Sequence, residues 1–141
     1  MGKHLKRLSL AGIVGLVAVV LAAAEARGAS GFDQGDLVGA YAGVASGGLL
    51  LTPGQVPVVS LMRIVADGAG ALTLEAQRNI AASFTTLSLS CTYTIEPSGF
   101  GLIACPAVNF RVLLANGGKQ FDLITPNNID GLVIGGHFMQ Q

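Results

Sequence analysis

The sequence predicts an all-β fold: an eight-stranded antiparallel up-and-down β-barrel preceded by an N-terminal signal helix. Three observations carry that expectation. After residue 30 the chain runs in short apolar–polar alternations broken by Gly, Pro, Asn and Asp, with almost no helical period. Three of those breaks are turns whose flanks register with like residues on like faces. The 141 residues are 51% hydrophobic and 11% charged, with 20 glycines. That composition can fill one closed core and bend strands around it, and it is too apolar for a disordered tail.

The first element is an address. Lys3, His4, Lys6 and Arg7 precede an uncharged run from Leu8 to Ala24, and small residues follow at Ala22-Ala23-Ala24 and Ala24-Glu25-Ala26. The order basic, apolar, small is that of a secretory signal peptide, here 1–26, whose removal leaves no membrane segment. An uncleaved anchor is the alternative, since about 20 apolar residues cross a bilayer. The sequence thus divides into a signal peptide, a linker over 27–35 and one domain over 36–141. The destination is the periplasm or the extracellular space. After cleavage, five bases (Arg27, Arg63, Arg78, Arg111, Lys119) face seven acids (Asp33, Asp36, Asp67, Glu75, Glu96, Asp122, Asp130). Such a chain has no field to attract nucleic acid.

Strands are predicted at 36–45, 57–66, 71–77, 84–96, 101–108, 109–115, 120–125 and 131–139. Residues 46–56, with Gly47-Gly48 and Pro53-Gly54, read as the longest irregular link, and 126–130 reads as a turn. An outer-membrane barrel fits poorly, because Trp is absent and the charges fall on what would be the lipid face.

Three hairpins can be registered. Asp67-Gly68-Ala69-Gly70 sets Arg63 across from Glu75 and Val65 across from Thr73, leaving Met62, Ile64, Ala66, Leu72, Leu74 and Ala76 on one apolar face. Glu96-Pro97-Ser98-Gly99-Phe100, with Gly99 left-handed, sets Glu96 opposite Phe100. Counting back five residues brings Cys91 opposite Cys105 at a non-hydrogen-bonded position, where Cα atoms lie about 4.5 Å apart. Disulfides accept about 4.4–6.8 Å, so a bridge is predicted. Asn116-Gly117, read as a two-residue turn, pairs Phe110 with Leu123, Val112 with Phe121 and Arg111 with Asp122.

Several motifs then combine: Asp36-Leu37-x-Gly39-x-Tyr41, Ala66-Asp67-Gly68-x-Gly70-x-Leu72-Thr73, Tyr93-Thr94-Ile95-x-Pro97, Asn116-Gly117-Gly118-Lys119-Gln120-Phe121 and Gly135-Gly136. Together they resemble a broad group of small exported bacterial β-barrel proteins, calycin-like in shape and similar to the allene oxide cyclase barrel. The resemblance spans most of 36–139. It implies an apolar cavity that accepts a lipid-like or polyene substrate, and it carries no catalytic residue over to this chain.

The residues themselves offer little chemistry. Cys91 and Cys105 are too few for a zinc site, and an exported chain favours the disulfide. His137 sits in the last strand without a nucleophile beside it in sequence, and reads as a surface or barrel-end imidazole. No catalytic, metal or cofactor motif is present. Tyr41, Tyr93, Phe84, Phe110 and Phe121 read as core. A cavity reading makes Tyr41, Met62, Leu72, Leu89, Tyr93 and Phe121 the ligand-binding set. The expected role is binding of a small hydrophobic molecule inside the barrel. The alternatives are a cyclase or isomerase acting on such a molecule, and an interaction protein with a solid core, either of which can be a homo-oligomer.

Overall fold

The computed structural model describes residues 31–51, 54–126 and 131–141. The expected signal peptide, residues 27–30 of the expected linker, most of the turn at 126–130 and the tip of the link at 46–56 lie outside the described residues. The eight strands are β1 (Val38–Leu51), β2 (Gly54–Asp67), β3 (Ala71–Ile80), β4 (Ser83–Ile95), β5 (Phe100–Ala104), β6 (Asn109–Ala115), β7 (Gln120–Ile124) and β8 (Leu132–Gln140). Each pairs antiparallel with the next, and β8 returns to β1, so the sheet closes.

Closure depends on small residues where the first and last strands meet. A Cβ on Gly43 would overlap the His137 carbonyl and lie 2.6 Å from the Phe138 ring. Gly47 and Gly136 are just as tightly held, against Val133 and against Val44 and Ala45. Glycine lets the two backbones approach and pair from Tyr41↔Gln140 to Leu49↔Leu132.

Two of the three hairpins follow the sequence reading. Arg63 pairs with Glu75 and Val65 with Thr73, and the six residues of the apolar face are all buried. The Asp67 carboxylate accepts from the amides of Ala69 (2.7 Å) and Ala71 (3.0 Å), which fixes the turn and lowers its pKa. In the β4–β5 hairpin the Glu96 amide donates to the Phe100 carbonyl, and Cys91 and Cys105 are bridged with Cα atoms 4.4 Å apart.

Four expectations are corrected. First, 46–56 is not an irregular link: β1 and β2 pair continuously out to Leu51↔Gly54. Gly47 there marks close approach to β8, and Gly48 makes room for the Gln55 side chain of β2; neither ends a strand. Second, the β6–β7 connection has four residues, because Asn116, Gly117 and Gly118 are all left-handed and Ala115↔Gln120 is the last pair. The register moves by two, which keeps every side chain on its face but sets Arg111 opposite Ile124 and Asp122 opposite Leu113. Asp122 instead meets His137 on the outer face (2.8 Å). Third, Phe84 is 65% exposed, since the inward set on β4 is Leu87, Leu89, Cys91, Tyr93 and Ile95. Fourth, β5 stops at Ala104, and 105–108 forms a loop.

One barrel end is plugged by the chain's own N-terminal segment. A short 3-10 turn (Gln34–Asp36) is capped reciprocally: the Asp33 carboxylate accepts from the Gly35 amide and Asp36 from the Asp33 amide. Leu37 then drops fully into the core. The hydroxyls of two buried tyrosines bond at this end, Tyr93 to the plug and Tyr41 to the neighbouring β6–β7 connection. Tyr93 donates to the carbonyls of Leu37 (2.8 Å) and Gln34 (3.0 Å), and Tyr41 to that of Gly118 (2.7 Å). Beneath them Tyr41 meets Phe121 edge-on and Phe121 stacks on Phe138, with centroids 5.2 and 4.9 Å apart.

These contacts generate two predictions. Gly43→Ala forces the β1–β8 seam apart and is expected to lower unfolding free energy by more than about 2 kcal/mol in denaturant titrations. Tyr93→Phe leaves plug carbonyls without their donor. It should lower stability by about 1–3 kcal/mol and speed amide exchange over 32–37. Burial raises the pKa of both tyrosines above 10.0, with coulombic contributions from Tyr93 and Asp36 at Tyr41 and from Asp67 at Tyr93. The neutral phenols therefore contribute fully below pH 10.0, and that contribution is lost as pH rises through the folded-state values. The corresponding loss of stability should be smaller in Tyr41→Phe/Tyr93→Phe.

Candidate functional site

The opposite end of the barrel contains a cavity of about 510 Å³. Its wall consists of inward residues from the far halves of the strands: Leu49 of β1, Arg78 and Ile80 of β3, Leu87 and Leu89 of β4, and Leu132 of β8. Cys105, Pro106, Ala107 and Val108 form its lip. The disulfide holds that lip to β4, and the Cys105 amide closes the loop on the Val108 carbonyl (3.0 Å). Below it, sharing Arg78, Leu87, Leu89, Val108 and Leu132, lies a smaller space of about 30 Å³ reaching Ser60, Met62 and Phe110. That is room for one or two waters.

Asn109 and Thr125 also line this cavity, the Thr125 hydroxyl accepting from the Ile134 amide. Two further polar groups, Arg78 on its wall and Ser60 beneath it, have buried atoms without partners. Ser60 is buried, and its Oγ has no hydrogen-bond partner among the described residues. The Nε of Arg78 is buried without a partner as well. The two residues are direct cross-strand partners on the inner face of β2 and β3, where Cβ atoms lie about 4.5–5.5 Å apart. Buried donors are normally satisfied, so two adjacent orphans at the base of a cavity mark a place where something else can bond.

The structure divides the sequence-predicted ligand set. Tyr41, Leu72, Tyr93 and Phe121 are buried in the plugged half, where aromatic contacts and hydroxyl bonds leave them committed. Met62 and Leu89 line the cavities of the open half. Sequence reasoning passed over Arg78 and Ser60, although both had a legible signal. Val58, Ser60, Met62 and Ile64 alternate onto the core face, as do Leu72, Leu74, Ala76, Arg78 and Ile80. Ending the third strand at residue 77 concealed the arginine.

The outer face carries a larger concavity of about 650 Å³ across β1 to β4, bordered by Val44, Leu61, Arg63, Glu75 and Gln77. Its charges already answer each other: Arg63 and Glu75 lie 3.6 Å apart, both more than half exposed. Such a wet pair contributes little. His137 and Asp122 form a second exposed pair on β8 and β7. Among the described residues, no three His, Cys, Asp or Glu side chains gather as metal ligands, and no helix is long and apolar enough to cross a membrane. No family model, curated protein or solved structure matches this chain.

The bridge supplies a prediction at this site. It closes a loop with a sequence separation of 14, and reduction should cost about 3 kcal/mol. Reductant is expected to lower the melting temperature and to speed exchange in the 105–108 lip. Equal melting of oxidised and reduced protein would contradict this.

Proposed function

We propose that this is an exported β-barrel that binds a small hydrophobic molecule in the open end of its interior without transforming it. The observation that supports this best is the asymmetry of the barrel. One end is filled by aromatic rings and a tethered plug, while the other keeps an apolar cavity of about 510 Å³. That volume falls in the range of small-molecule sites, about 300–1,000 Å³. Export is supported by the disulfide, which persists in oxidising compartments.

The test is binding of Nile red, a neutral environment-sensitive dye, to the disulfide-bonded protein. Saturable binding is expected, and Leu89→Trp, which fills the cavity, should abolish it. Leu61→Ser, on the outer face, should leave it intact. Absence of dye binding, or binding unaffected by Leu89→Trp, would overturn the reading.

A second reading rests on the outer surface, where Val59, Leu61 and Phe84 are about half exposed or more. They border a shallow recess with Pro57 and Ala82. An apolar stripe of this kind suits contact with another protein surface. On this reading the barrel is an interaction module. Sedimentation velocity would show association that Phe84→Ser weakens, and a monomer at all concentrations would count against self-association through this face.

A further inference from the structure

We infer that the Ser60–Arg78 pair is a head-group site for a singly charged carboxylate, so that the molecule held in the barrel is an aliphatic acid bound with its carboxylate inward. This rests on the cavity reading above and deepens it.

Four observations converge. Arg78 is the one charged side chain on the wall of either inner cavity among the described residues. Its Nε and the Ser60 Oγ are both buried and without partners. The register places the two residues side by side, and both line the same small space. The space they share leads directly into the apolar cavity through Leu87, Leu89 and Leu132.

The chemistry of the donors selects the ligand. A guanidinium presents Nε–H and Nη–H in a planar fork that matches the two oxygens of a carboxylate. A serine hydroxyl beside it can donate to the same group. The single positive charge of Arg78, whose Nε is buried, neutralises one negative charge. A dianionic phosphate would carry an uncompensated charge into an apolar wall, which is costly. Leucines and Ile80 between this pair and the barrel rim suit an alkyl chain running outward.

The experiment measures displacement of Nile red from the disulfide-bonded protein by decanoate, 1-decanol and decyl phosphate, with direct calorimetric titration of decanoate as a check. Decanoate should bind about 10- to 100-fold more tightly than decanol, the range that charge-assisted hydrogen bonds provide. That preference should vanish in Arg78→Met and shrink in Ser60→Ala. It should also disappear as the ligand's carboxyl is protonated, while decanol binding stays unchanged. Arg78→Met should melt at or above the wild-type temperature, because it removes an orphaned buried donor. The wild-type comparison stands even if that variant misfolds. Equal binding of decanoate and decanol, tighter binding of decyl phosphate, or a carboxylate preference that survives Arg78→Met would each overturn the head-group assignment while leaving the cavity reading in place. Failure of the dye to bind at all would remove both.

Discussion

Everything in this barrel depends on the seam at which the last strand returns to the first. Seven of the eight pairings join neighbours along the chain, which local turns can secure. The eighth, β1 with β8, joins segments about a hundred residues apart and has no turn to guide it. It forms because Gly43, Gly47 and Gly136 remove the side chains that would hold the two backbones apart. Those glycines weaken the strands in which they sit, since glycine loses the most entropy on ordering. Closure repays the loss by leaving no unpaired sheet edge and by sealing one apolar interior.

That interior is used unevenly along the barrel axis. At the plugged end no buried side-chain polar atom among the described residues is left without a partner. The two tyrosine hydroxyls reach carbonyls, Gln34 reaches the Tyr93 carbonyl, and the 3-10 turn caps its own amides. At the open end the same sheet leaves a serine and an arginine facing inward with donors unused. The contrast within one molecule matters more than either end alone. A fold able to satisfy its buried polar groups at one end has left two of them unsatisfied at the other, beside an apolar space.

Much of this architecture was legible from residue alternation, because alternation is a local property that the closed barrel simply inherits. The inward faces of the second, third and fourth strands could be read directly, and with them the Cys91–Cys105 bridge. Two of the failures need a contact between distant segments, and two do not. Gly47-Gly48 reads as a break, but Gly47 lies against Val133 of β8 and Gly48 against the Gln55 side chain of β2. Asn116-Gly117 looked like a complete turn, but Gly118 must pass under the Asp36 carbonyl, where no Cβ fits, and the turn grew to four residues. Phe84 was assigned by its chemistry rather than its parity. For Arg78 the parity is available, but the predicted strand ends at 77, three residues short of Ile80.

The Arg78 case shows why functional residues elude a reading built on core formation. A search for the apolar face treats a charged residue on that face as evidence that the strand has ended, since charge and core exclude each other in a protein that only needs to fold. On the carboxylate-site proposal this rule is broken at the site, where Arg78 would take its counter-charge from the ligand. Ser60 and Arg78 are therefore least expected where they are most informative: paired across two strands on the inner face of the barrel, with buried donors left without partners. The strand that carries Arg78 does not end there. It continues through Asn79 to Ile80, whose side chain returns to the cavity wall above the arginine. Apolar residues thus lie on both sides of the charge along the inner face, which places it within the apolar wall rather than at its solvent edge.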